Sequence, residues 1–303
     1  MASANKMRLC VIGAGRVGTT IAYVIAKKNP SWIKLESISS RTNKSLNRAK
    51  KILNPVLKNI YYTQNKIKAA AASECILICT PDDLIKKVCV EISSGAVDLK
   101  DCIVIHFSGS KTLKVLNSAR EDGAHTASIH PLKAFASIEN AIETISGTVF
   151  GITSSSERAK SVAAGLVKAL GGRAIEVEDN KKPLYHAAAC VASNYLVALI
   201  NYAVEIHEKI GINPHDSLEG LMSLVEGTVE NIKKMGTRKS LTGPIARGDV
   251  GTIEEHLINF KKYFKEDDVI LYKLMGIETG KIAYQNKWIS EETYKKLVKI
   301  LET

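Results

Sequence analysis

The side chains that could carry chemistry fall in four short stretches. His130 stands in His130-Pro131-Leu132, closing an apolar run; the proline braces it, and an ordinary histidine titrates where proton transfer is useful. Ser108 and Ser110 flank a glycine in Ser108-Gly109-Ser110, with hydroxyls able to bond a substrate carbonyl or a carboxamide. His186 and Asn194 lie on an apolar helical stretch at a separation that puts them within about 80° of one another around a regular helix. Polar groups on such a helix need partners. Arg247 occupies a polar, kinked insertion, Leu241-Thr242-Gly243-Pro244-Ile245-Ala246-Arg247-Gly248-Asp249. Its planar guanidinium suits two-point recognition of a carboxylate, with Thr242 and Gly243 beside it. Asp249 reads more simply as the N-cap of the following helix, and His256 on that helix is a weaker candidate. The set comprises a proton-transfer group, donors that orient an oxygen and a clamp for an acid. It contains no electron carrier.

A place for a carrier lies at the N-terminus. The apolar run Leu9–Ile12 stops at Gly13-Ala14-Gly15-Arg16-Val17-Gly18 and gives way to a helical pattern over about 17–28. Strand, glycine turn and helix in that order are the context of a dinucleotide fingerprint. The first glycine makes the tight turn, the second lets backbone approach a diphosphate, and the third lets the helix pack closely on the strand. The diphosphate then meets unpaired N–H groups at a helix N-terminus. In NAD sites an acidic residue about 20 positions further on takes the ribose 2′-hydroxyl. Here Ser39-Ser40-Arg41 occupies that place, and Glu36 comes too early. Hydroxyls and a guanidinium suit a 2′-phosphate, so NADP is expected over NAD.

The charge distribution agrees. Of the formal +11, residues 1–180 carry 25 Lys and Arg against 15 acids, a net of +10. Between Glu36 and Glu74 no residue is acidic, while Arg41, Lys44, Arg48, Lys50, Lys51, Lys58, Lys66 and Lys68 are basic. Such a field attracts a phosphorylated ligand. Nucleic acid is disfavoured, because aromatics make up only 6% and no recognition motif interleaves them with the basic run.

The elements that must position these groups follow an α/β grammar and then an all-α one. Strands are expected at 35–39, 74–79, 102–107, 124–129, 148–153 and 173–177. Three of them end in polar tips, Thr80-Pro81-Asp82-Asp83, Ser108-Gly109-Ser110-Lys111 and His130-Pro131-Leu132. In an open, mostly parallel, doubly wound sheet, ligands bind at such carboxyl ends. Thr80, Pro81 and Ser108 are therefore assigned to the cofactor along with the glycine turn.

From Asp179 onward no strand is convincing, and helices are expected at 183–210, 214–235, 252–264, 268–285 and 291–302. The expected division is 1–180, an NADP-binding Rossmann domain, and 181–303, an all-helical dimerisation and substrate domain. The first long helix is apolar on nearly every face through Ala188, Val191, Tyr195, Leu196, Leu199 and Ile200. That predicts burial against both the sheet and a second subunit, hence a homodimer. Ser193, Asn194 and Asn201 argue against reading Ala187–Val204 as a membrane span. Six cysteines without Cys-x-x-Cys, and a start lacking an apolar leader, suit a reducing cytoplasm. His106, His125, His207 and His215 show no metal-ligand spacing, and no metal is expected.

With these residues in view, the whole chain resembles the Rossmann-like proteins that carry an uncharacterised all-helical C-terminal domain. The resemblance rests on the glycine turn at 13–18, His130-Pro131-Leu132, the stretch from Leu184-Tyr185-His186 to Ser193-Asn194, and Leu241 to Asp249. It implies an NADP-linked oxidoreductase fold with no established substrate. More distantly, the layout is similar to prephenate dehydrogenase and pyrroline-5-carboxylate reductase, which are Rossmann-plus-helical dimers. That likeness implies substrate-lining roles for Ser110 and His130 and a carboxylate-holding role for Arg247. Asn194 stands where the prephenate enzymes have a helix histidine, a departure that weighs against prephenate itself. The lysine-based hydroxyacid dehydrogenases are set aside, because the helix offers His186 and Cys190 where they need Lys and Asn. The expected function is hydride transfer to or from a small carboxylated substrate held between the sheet tips and the helical domain. The alternatives are a non-catalytic NADP(H)-binding regulatory dimer and, more weakly, a deazaflavin-dependent NADP reductase.

Overall fold

The computed structural model describes residues 6–95 and 97–303. Eight strands form one sheet: β1 (Met7–Ile12), β2 (Ile33–Ser39), β3 (Tyr61–Thr63), β4 (Cys75–Ile78), β5 (Ile103–His106), β6 (His125–Pro131), β7 (Val149–Ser154) and β8 (Arg173–Glu176). The order is β3-β2-β1-β4-β5-β6-β7-β8, and every neighbouring pair is parallel except β6 with β7. The first six strands follow the doubly wound order, whose direction reverses between β1 and β4.

The connecting helices are α1 (Arg16–Lys28), α2 (Asn43–Leu53), α3 (Lys66–Ala71), α4 (Asp82–Ser93), α5 (Asn117–Glu121), α6 (Ile138–Thr144) and α7 (Glu157–Ala169). Side chains alternate along a strand, so β1 sends Leu9 and Val11 into one core and Cys10 and Ile12 into the other. The first core is closed by Ile21 and Ile25 of α1 and Leu166 of α7, the second by Ile85 and Val88 of α4. Burial on both faces explains why the strands read as unbroken apolar runs.

The helical part comprises α8 (Lys182–Cys190), a π turn at Val191–Tyr195, α9 (Leu196–Lys209), α10 (Pro214–Lys239), α11 (Pro244–Arg247), α12 (Val250–Tyr263), α13 (Glu266–Gln285) and α14 (Glu291–Glu302). Two compact units result, one ending at Tyr195 and the other running Leu196–Thr303, rather than a division at 180/181. Helix α8 packs with the sheet unit because its first turn buries Lys182 there. The second unit has its own core of Ile245, Ile253, Leu257, Phe260, Leu297 and Leu301.

Local signals set several helix ends. Pro183 and Pro214 take first-turn positions, and the Ser290 hydroxyl accepts from the Thr293 N–H. Gly236 breaks the helical geometry at φ 78°, ψ 165°, although helix resumes to Lys239. Asp249 departs from expectation. It stands at the N-cap position of α12 without a side-chain cap bond, because Arg247 engages its carboxylate at 2.9 Å.

The larger correction concerns the long apolar helix. It is not buried within this chain: Leu184 is 78% exposed and Val197 68%, with Val191 and Tyr195 also exposed. Asp179–Lys209 is long and apolar enough to cross a membrane. Its first turn is nevertheless fixed in the sheet unit by a buried ammonium. All six cysteines are free thiols, four of them buried.

Candidate active site

The glycine turn and the tip of β4 form the two sides of the crevice where strand direction reverses. Gly13 has φ +113°, and a Cβ there would lie 2.5 Å from the Cys79 carbonyl oxygen. A Cβ on Gly18 would overlap the Gly13 carbonyl, so α1 packs at backbone distance. Around a Cβ placed on Gly15 there is nothing within 4 Å. That open space is where a diphosphate would sit against the start of α1.

A cavity of about 450 Å³ begins at Gly13, Ala14 and Gly15, runs past Ser39, Ser40, Arg41 and Thr42, and is closed by Thr80 and Pro81. Thr80 Oγ1 is buried without a hydrogen-bond partner among the described residues. Lys66 and Lys87 line the same cavity; Lys66 pairs with Glu91 at 2.6 Å. Arg16, at the first turn of α1, donates to the Phe135 carbonyl at 3.1 Å, and Val17 packs into the core beneath. These residues fit a nicotinamide dinucleotide.

At the tips of β5 and β6 a second cluster forms. Ser108 and Ser110 both donate to Asp82 Oδ2, at 2.6 and 3.2 Å, and Ser108 Oγ accepts from the Lys111 N–H at 3.0 Å. The 106–111 turn is thus built on one carboxylate. His130 and His186 approach across it with ring centroids 5.6 Å apart. Gly109 lies between them: a Cβ there would stand 2.5 Å from His186 Cδ2 and 2.7 Å from His130 Nε2. Beneath, Lys182 Nζ donates to the Ser108 carbonyl at 3.1 Å and to Ser128 Oγ at 2.6 Å, tying β5 to β6. On the far side Tyr185 sets its hydroxyl 3.4 Å from His130 Nδ1.

Burial controls the protonation of this cluster. His130 is pushed down to about 4, chiefly by desolvation and then by the neighbouring His186 and Lys182, with Asp82 opposing. The expectation that it titrates near neutrality is therefore corrected: at pH 7 the ring is neutral. His106, wholly buried and next to Lys182, is pushed down to about 3, and its Nδ1 accepts from the Ser108 N–H. Desolvation also lowers Lys182 to about 8, against the pull of Asp179 and Asp82.

Of the residues singled out from sequence, the fold brings Ser108, Ser110, His130 and His186 together at the tips of adjacent strands. Asn194 is exposed, in the π turn. That wide turn advances less per residue than an α-helix, so it reduces the angular offset from His186 that regular helix would impose. Thr242, Gly243 and Arg247 lie in the second unit. His256 pairs with Tyr272 Oη at 2.7 Å. Among the described residues no group of three or more His, Cys, Asp or Glu could hold a metal ion.

Sequence reading missed four participants. Lys182 belongs to a charged stretch at the domain boundary, Asp82 is one of two carboxylates at a strand tip, and Tyr185 and Ser128 lie within a helix and a strand without a role of their own. A lysine followed by proline at the start of an apolar helix was the available signal for the first. Nothing local marked the others.

Fold and site together define a dinucleotide-binding α/β unit whose strand tips carry a half-buried two-histidine cluster, followed by a helical unit. Residues 2–131 match the Rossmann-like domain, and residues 148–279 match the domain of unknown function DUF2520. The crystal structure of protein TM1727 from Thermotoga maritima is similar over 92% of this chain and 99% of its own, with 26% identity and a TM-score of 0.71. Pyrroline carboxylate reductase from Plasmodium falciparum, solved with NADP bound, is similar over 97% and 98% of the two chains at 16% identity and a TM-score of 0.56. Imine reductase from a Pseudomonas species is similar over 94% and 100% at 14% identity and 0.60. No curated protein matches the chain.

Proposed function

We propose that this chain is an NADP(H)-dependent oxidoreductase that transfers hydride to or from a small, carboxylated substrate. The observation that carries the reading is the cavity over the glycine turn, with open space over Gly15 and Arg41 on the Ser39–Thr42 edge; His130 stands at the end of β6, another strand tip of the same sheet. The neutral His130 transfers the substrate proton through a ring nitrogen, and Ser110, with Asn194, orients the reacting oxygen or nitrogen. His186 forms the opposite wall. Within the helical unit Arg247, beside Thr242 and Gly243, keeps a proposed carboxylate-holding role on the chemistry of its motif; its guanidinium engages the carboxylate of Asp249. The bound nicotinamide supplies or accepts the hydride. Similarity to proteins named as pyrroline carboxylate reductase, reductive aminase and imine reductase supports a C=N or C=O substrate.

We further propose a homodimer in the cytoplasm. The exposed apolar faces of α8–α10, including Leu184, Val191, Val197, Leu224 and Met235, support a second copy as their cover. The test is NADPH oxidation against a panel of 2-oxo acids, cyclic imines and deazaflavin, with NADPH affinity measured in parallel. Turnover of an imine or 2-oxo acid upholds the reading. Tight NADPH binding with no turnover across the panel replaces it with a regulatory dimer.

A further inference from the structure

Tyr185 belongs to no motif role assigned above, yet its position is specific. His130 on β6 and Gly151 on β7 are directly paired in the antiparallel ladder, so their side-chain positions share one face of the sheet. Gly151 has no side chain, and the slot this leaves is filled by the Tyr185 phenol: a Cβ on Gly151 would stand 2.5 Å from Tyr185 Oη. The two rings meet edge to face with centroids 5.5 Å apart, and Oη lies 3.4 Å from His130 Nδ1. The opposite ring nitrogen, Nε2, faces Gly109 and His186. On its other side Tyr185 lines an open groove of about 860 Å³ with Thr153, Lys160, Glu178, Asp179 and Lys181. His130 itself is largely enclosed, so the phenol stands between it and the solvent in that groove.

We propose that Tyr185 is the positioning and proton-relay residue of this site: its hydroxyl donates to His130 Nδ1, fixes the ring with hydrogen on Nε2, and lends its proton to Nδ1 while Nε2 gives one up. The catalytic half of the inference rests on the reductase reading. When the C=O or C=N carbon receives hydride from the reduced nicotinamide, its π bond opens and the oxygen or nitrogen gains a lone pair. That atom takes the proton from His130 Nε2 as Tyr185 O–H passes its proton to Nδ1; once product leaves, Nε2 takes a proton from water and Nδ1 returns its own to the phenolate, which restores the starting tautomer. Burial raises the phenol, with the Gly151 backbone a smaller opposing influence, so the hydroxyl keeps its hydrogen at neutral pH.

The test begins without substrate, on full-length protein carrying ¹⁵N-labelled histidine, with the His130 signals identified by their loss in His130→Gln. The expected result is an unprotonated Nδ1 from pH 6 to 9 in the wild-type chain. In Tyr185→Phe the Nδ1–H form should become populated. Gly151→Ala, which keeps the phenol but displaces it, should show the same change. Identical tautomer populations in all three proteins overturn the proposal. With any substrate the panel identifies, Tyr185→Phe should lower kcat at least about tenfold with KM little changed. A kcat within twofold of wild type refutes the relay even if the tautomer changes. Absence of turnover in the wild type sinks the reductase reading, while the tautomer measurement still judges the Tyr185–His130 pair.

Discussion

Lys182→Met removes a buried ammonium while keeping an unbranched stem of similar length. The lysine is 1% exposed, and among the described residues its ammonium bonds the Ser108 carbonyl and Ser128 Oγ. Lowering from 10.5 to about 8 corresponds to about 3 kcal/mol against the charged form, relative to the unfolded chain. Between those two values the unfolded chain binds more protons than the folded one, so this lysine makes stability rise with pH. At pH 7 it is charged in both states and the full penalty applies. By pH 9.5 the folded state holds it neutral, and about 2 kcal/mol is recovered.

Methionine carries no such penalty but leaves two acceptors unbonded, at about 1–3 kcal/mol each. At pH 7 the variant should therefore be within about 3 kcal/mol of wild type. From pH 7 to 9.5 the difference should move by about 2 kcal/mol in favour of wild type. Urea unfolding followed by Trp32 in a Trp288→Phe background reports on the sheet unit. Taking the difference between two proteins at each pH cancels the buried thiols of Cys10, Cys75 and Cys79, all raised by desolvation, which act in the opposite direction. A difference that does not change with pH would refute the assignment of a depressed, buried ammonium.

Other outcomes follow from the same geometry. Gly109→Ala places a methyl against both histidine rings and should lower kcat by about tenfold or more, with NADPH affinity unchanged by isothermal titration. Arg41→Asp should shift preference from NADPH toward NADH by about tenfold or more, since a charge-assisted bond contributes roughly 1.5–3 kcal/mol. No shift would mean that Arg41 does not touch the 2′-phosphate. Val197→Asp introduces a charge on the exposed apolar face and should convert a dimer to monomer in light scattering after size exclusion. Retention of the wild-type mass would remove that face from the interface.

Much of the fold was legible because its signals are local. Four or more apolar residues ending in glycine, a proline at a first helical turn and a serine three residues before an orphan N–H each constrain backbone within a few positions. The doubly wound order needs little more, since short right-handed connections leave few alternatives. The site was legible only in part. His130, Ser110 and His186 could be named as polar groups at strand tips or on an apolar helix. Their mutual placement, with a glycine backbone between two imidazoles, could not.

What the sequence by itself determined was the glycine-turn side of the nucleotide cradle, because those parts lie within one strand–turn–helix and the strand that follows. What only the tertiary structure decided was the state of the chemistry beside it. Asp82, Ser108, Ser128, Lys182 and Tyr185 come from four separate elements, and their hydrogen bonds exist only once β5, β6 and α8 are packed together. Burial in that packed region is what takes His130 from an ordinary titrating imidazole to a neutral one. Desolvation depends on everything that surrounds a group in space, and no spacing along the chain encodes it.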